Sequence, residues 1–339
     1  MLNLIPEEYK PDIRISPTFV FNTFVAIALL SFMPVVKTTL HFTDEEFTFW
    51  KVIPDVLADL ELGRAWVWMF IQCTVILFIM SFKNLQKMVI FNVLIAFLFV
   101  GIVFSYGWAS HAAGESESFG FMAESLHLLA VSLWIGIIII AGWFAQGTKN
   151  WTSFIKWFSP FSIACVITVV AAGLTLMFFI TPNYVNGWII NYGQALLIKH
   201  LLFIPLLLFG FMNGYLMEKR LHQDPGFDPR KWLRAESIFA LLIFVTTAFM
   251  GFQTPPHESD ESSVPVPTSP LFQLFHPEIQ STASLSFTGS ILGFVLAAVA
   301  CLSLAAILMR YKKISSWNAI FYAIVFVMTG YLSVMFFVS

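Results

Sequence analysis

Seven histidines stand in this 339-residue chain, and two of them, His127 and His200, fall inside long apolar stretches. An ionisable side chain in such a stretch is costly and marks a candidate functional position. Each follows the start of its stretch by seven residues, counting from Gly120 and Gly193. At the rise of an α-helix both rings sit about 10 Å from the helix start. They share one depth, and can meet if their two helices pack together. Glu124 precedes His127 by three residues and lies on the same helical face, placed to orient the imidazole as a carboxylate orients a metal-bound histidine. His111 belongs to the segment Ser110-His111-Ala112-Ala113-Gly114, whose small residues let it dip towards the helices.

A single helical histidine is commonly a hydrogen-bonded packing residue. Two at matched depth, with a third in the adjoining loop, weigh as much for ligation as for packing. Met122 adds a thioether, although its spacing of five from His127 is poor for one face, so it contributes only from the helix start. Imidazole and thioether together suit Cu(I). His41, His257 and His276 lie in polar segments and read as solvated, and His222, in a basic loop, as a bystander. Cys73, Cys165 and Cys301 are too few for a disulfide framework and read as small buried apolar residues. A second polar set, Asn92, Asn213, Arg234 and Glu236, lies towards the opposite ends of the stretches. It reads as interhelical hydrogen bonding or as an inner path or gate. The sequence shows no nucleophile with a base, no phosphate-cradling loop and no CxxC, so no enzyme is expected.

The elements that must position these residues follow from composition. The chain is 58% hydrophobic, 17% aromatic and 11% charged, with a net charge of -2 and a mean hydropathy of +0.80. A soluble domain carries about 25% charge. These values exclude disorder, a basic nucleic-acid binder and an ordinary cytosolic enzyme, and point to the lipid bilayer as solvent. Nine stretches meet the roughly 20 apolar residues that a membrane helix needs: 17-36, 65-82, 88-106, 120-145, 158-181, 194-217, 234-252, 287-309 and 316-338. The expected fold is an all-α polytopic transmembrane bundle. The first stretch lacks a small-residue cleavage site and reads as a retained helix. Residues 37-64 have room for a short surface helix, and the Pro/Ser/Thr-rich 257-286 reads as a flexible external linker before a two-helix extension, 287-339.

Basic residues set the orientation. One family of loops holds Lys10, Arg14, Lys83, Lys87, Lys149, Lys156, Lys219, Arg220, Arg230, Lys231, Arg234, Arg310, Lys312 and Lys313, whereas the alternate family holds only Lys37, Lys51 and Arg64. The positive-inside rule then predicts a cytoplasmic N-terminus and an external C-terminus. That orientation places His111, His127 and His200 in the outer half and Asn92, Asn213 and Glu236 towards the inside.

Several motifs, in order, resemble the copper resistance D (CopD) family: Leu62-Gly63-Arg64-Ala65-Trp66, Ser110-His111-Ala112, Glu124-Ser-Leu-His127 running to Trp134-Ile-Gly136, and Phe158-Ser159-Pro160 with Gly173. Tyr192-Gly193-Gln194 running to Lys199 with Asn213 follows, then Leu233-Arg234-Ala-Glu236 and Pro255-Pro256. The likeness covers about residues 17-256, a membrane domain of about seven spans. It implies a bacterial cytoplasmic-membrane protein carrying copper inward, often with an external copper-binding protein; a cytoplasmic chaperone is the expected acceptor. Two features depart from the family: no stretch reads as an external copper-binding β-domain, and two further spans follow. The Asn-Arg pair of the sixth span reads Asn213-Gly214 here. Two facing histidines also suit a b-type haem, which leaves a membrane redox protein as the alternative. A non-transporting copper chaperone or sensor is a third reading.

Overall fold

The computed structural model describes residues 5–339 apart from 87, 182, 224–226, 257–265, 282 and 312. His257 and the first nine residues of the expected linker thus lie outside the described residues, as does the side chain of His222. Among the described residues nine helices are long and apolar enough to cross a membrane: Pro17–His41, Glu61–Ser81, Val89–Trp108, Phe119–Phe144, Trp151–Ile180, Asn191–Leu221, Arg230–Met250, Ile291–Met309 and Ser316–Phe337. They coincide with the nine stretches read from the sequence, and the chain is an all-α, multi-pass membrane protein.

The chain divides into two compact units, Met1–Ile137 with Pro160–Phe179, and Ile138–Ser159 with Ile180–Ser339. This division differs from the expected break near residue 256. The first unit begins with α1 (Pro17–Leu30) and α2 (Met33–His41), followed by the amphipathic α3 (Phe49–Asp59) within the segment expected to hold a surface helix. Val52 and Val56 of α3 bury against Val35. Next come α4 (Glu61–Ser81) and α5 (Val89–Trp108). Phe24 and Ala28 of α1, Met69, Cys73 and Ile76 of α4 and Ile102 of α5 form an apolar core. Trp66 ties α4 to α1 by donating its indole N–H to the Ala28 carbonyl at 3.3 Å. A short helix, α6 (His111–Glu115), leads into α7 (Phe119–Phe144), and α8 (Trp151–Ile180) supplies residues 160–179 to this unit. Pro160 lies within α8 and removes one hydrogen bond of its ladder.

In the second unit α9 (Asn191–Phe211) widens into a π-helical turn, Met212–Leu216, before α10 (Met217–Gln223), and α11 (Arg230–Met250) packs along α9. The segment after Pro256 departs from the flexible linker expected. Its described part forms a short helix, α12 (Pro270–Gln273), and Phe272 is fully buried with Trp188, Ile189, Leu197, Tyr331 and Met335. Phe275, Ile279 and Leu285 pack on the same cluster, and main-chain bonds hold both ends: Ser269 N–H to Ile189 O at 2.8 Å, and Ser286 with Ser339 in both directions at 2.9 and 3.0 Å. Burial of these apolar side chains outweighs the turn-forming composition. The last two helices, α13 (Ile291–Met309) and α14 (Ser316–Phe337), pack on one another, and α14 also packs on α9. Gln194 of α9 anchors that contact: it accepts the Tyr331 hydroxyl and donates to the Trp188 carbonyl.

Candidate functional site

His127 lies two turns into α7, half-buried, and its Nδ1 is 3.2 Å from the Val169 carbonyl of α8. A carbonyl only accepts. Nδ1 therefore carries the proton, and in the neutral ring Nε2 presents its lone pair. Main-chain hydrogen bonding at one nitrogen is a common way to set a metal-binding imidazole. Gly173 flanks the ring: a Cβ placed there would stand 3.7 Å from Cε1 and 3.8 Å from Nδ1, in ordinary contact. The Val169 partner was not read from the sequence, because a carbonyl has no residue identity. Glu124, half-buried one turn earlier, interacts electrostatically with Tyr106.

His111 opens α6, where Ser110 caps the turn by accepting the Ala113 N–H at 3.2 Å. Ala112 and Ala113 are buried, and at Gly120 the main chains approach so closely that a Cβ would overlap the Ala112 carbonyl. The His111 side chain is itself exposed. Met122 is 43% exposed, and its spacing of five turns it about 140° from His127. Asn92 of α5 is half-buried.

In the second unit, His200 of α9 is half-buried, with its Nδ1 2.7 Å from the Tyr184 hydroxyl oxygen. Burial pushes the Tyr184 hydroxyl up to about 12, against a smaller lowering from Trp188, so at neutral pH it keeps its proton. A phenol can donate or accept, so two tautomers of His200 are open. Only acceptance from Nδ1–H leaves the Nε2 lone pair for a ligand. Tyr184 is half-buried against His200, and Trp188 is buried. His276, read as solvated, is half-buried and bonds the Met335 carbonyl through Nε2 at 2.9 Å. Cys73 and Cys165 are buried as expected, whereas Cys301 is exposed.

Asn213 and Glu236 come together. The Asn213 amide donates to Glu236 Oε2 at 2.6 Å, and the two residues are 8% and 1% exposed. Arg234 does not join them: its Nε donates to the Gly142 carbonyl at 2.7 Å and its guanidinium lies over Trp143. Among the described residues no three of His, Cys, Asp or Glu cluster as a metal site. His111, Glu124 and His127 lie in the first unit, and His200, Asn213 and Glu236 in the second.

Residues 152–250 match the copper resistance protein D family, CopD. This segment is similar to that family. A relative, the copper transport protein CutJ of Bacillus subtilis (strain 168), is 28% identical over 172 residues, covering 48% of this chain and 31% of the relative. The chain thus matches about a third of that protein's length. No solved structure matches. The CopD segment contains Val169, Gly173, Tyr184, His200, Asn213 and Glu236, and ends at Met250, at the close of α11. His127 and Glu124 precede it, but the carbonyl that fixes the His127 tautomer lies within it.

Proposed function

We propose that the chain carries copper into the cell across the cytoplasmic membrane, with His127 and His200 as its principal ligands. The observation that supports this best is the Val169 carbonyl at His127 Nδ1, since it commits the neutral ring to the tautomer that carries its lone pair on Nε2. The CopD match and the copper transport relative support copper as the substrate. His111 at the exposed start of α6 is a first point of capture, and Met122 an accessory thioether for Cu(I). Glu124 adds negative charge one turn from His127. Asn92, Asn213 and Glu236 line the later part of the path.

The positive-inside bias supports entry from the histidine side. An external copper-binding protein would deliver the ion, and a cytoplasmic chaperone would take it. The membrane potential favours inward movement of each positive charge by about 2.3 kcal/mol per 100 mV. Protonated imidazole binds no metal, so uptake weakens as pH falls through the histidine titration. The test is copper content of cells and copper stoichiometry of purified protein, for wild type, His127→Ala, His200→Ala and the double variant. Unchanged values in the double variant would refute the ligand assignment, and a Soret band in the colour of the purified protein would turn the reading to haem.

A further inference from the structure

Glu236 is the most deeply buried carboxylate that sits in a span, and no cation pairs with it, among the described residues. Arg234 is turned to Gly142 O and Trp143, and Arg230 is paired with Asp228 at 2.7 Å and reaches the Ala145 carbonyl. From the elements packed around α11, the ionisable groups are likewise engaged or distant. Lys219 bonds Tyr215, Lys156 is exposed, Tyr331 bonds Gln194, and Lys199 and His200 lie more than three turns along α9 from Asn213. Glu218 lies beyond the π turn, five residues past Asn213. The surroundings on the same turns are apolar: Phe209, Met212 and Phe239 are fully buried.

The amide partner gives the second observation. Asn213 Nδ2 donates to the carboxyl group, but Asn213 Oδ1 is buried and accepts no hydrogen bond among the described residues. A buried acceptor without a donor is costly. An ionised Glu236 makes this worse, since it offers acceptors only. A protonated Glu236 supplies the missing donor, and the amide and the acid can then exchange two hydrogen bonds. The backbone is also specialised here. Asn213 sits in the π turn, a form found mostly at functional positions, and Ser159 Oγ donates to the Gly214 carbonyl at 3.2 Å.

We propose that Asn213 and Glu236 form a proton-binding site, in which Glu236 holds a proton shared with the Asn213 carbonyl and releases it when a cation enters the span. The second half of this statement rests on the copper-transport reading. The step is an acid dissociation: the O–H bond of Glu236 breaks, its electron pair stays on the carboxylate, and the proton leaves to water. Nothing is oxidised or reduced.

Infrared spectroscopy of the full chain in lipid, without copper, tests the first half. At neutral pH a carboxylic-acid carbonyl band is expected. It moves in D2O, moves again when glutamate is labelled with carbon-13, and vanishes in Glu236→Gln. The isotope arms use the wild-type protein and hold even if that variant fails to fold. Absence of a glutamic-acid band at neutral pH overturns the proposal. Proteoliposomes with a pH-sensitive dye test the second half: adding Cu(I) should move protons in the wild type, and proton movement that persists unchanged in Glu236→Gln overturns it. Were copper never to accumulate while the acid band remained, the transport reading would fall and the proton site would stand.

Discussion

The two intramembrane imidazoles are held in different ways. At His127 the partner is a main-chain carbonyl, which admits one tautomer. At His200 it is a phenol hydroxyl, which admits two. The first ring is committed by the backbone of α8 and no side-chain substitution can remove its partner. The second can be rewired by a single oxygen atom. On the copper reading proposed above, a carrier that must both bind and release a soft cation gains from one ligand of each sort, since the second tautomer of His200 withdraws the Nε2 lone pair without the ring leaving its place.

The comparison can be broken at several points. His127→Ala should produce the largest loss of copper affinity, beyond the about 10–100-fold typical of removing an outer partner, as measured by titration with a Cu(I) chelator. Tyr184→Phe should come next, lowering affinity by about tenfold while a nitrogen-15 spectrum of the His200 ring shows a changed tautomer. If Tyr184→Phe left that spectrum alone, the two rings would not differ in the way described. Tyr331→Phe removes the hydroxyl that Gln194 accepts and should cost about 1 kcal/mol of stability, read as a lower unfolding midpoint in detergent, with the His127 spectrum unmoved. Gly173→Ala should leave copper affinity unchanged, because its methyl group would meet the His127 ring at ordinary contact distance; a clear loss would mean that the ring needs the space beside Gly173 to bind the ion.

The smallest effect concerns Asp228, outside the spans. Burial raises its carboxyl, but the side-chain and main-chain bonds from Arg230, with the charges of Arg230 and Lys231, outweigh this and hold it below the ordinary aspartate range. A depressed carboxylate contributes stability above its unfolded value of about 3.9, lost as pH falls through the lower folded value. Asp228→Asn should therefore flatten that acid limb of a melting profile and leave both imidazoles untouched.

The spans were legible because length and hydropathy decide them: all nine recur, with ends shifted by a few residues. Hydrogen-bond partners were less so. Asn213 and Glu236 stood out as polar residues in apolar helices, but their pairing depends on how α9 and α11 pack, which periodicity does not encode. Val169 contributes its carbonyl, and every residue has one. Tyr184 and Trp188 were hidden by composition, since aromatic residues near helix ends serve interfaces and cores equally well. In 266–286 the prolines and serines spoke louder than Leu271, Phe272, Phe275, Ile279 and Leu285, yet it is the apolar residues that decide whether a segment packs.

The π turn at Met212–Leu216 holds one residue more than the helix on either side requires. Cutting a single residue from it would let the ladder close in the common register, with both flanks still presenting their present faces. The span therefore contains a place where its length can change by one without rethreading what lies above or below, and an evolutionary deletion or a laboratory one would be absorbed there at the expense of Asn213's orientation and of the Ser159 bond to Gly214.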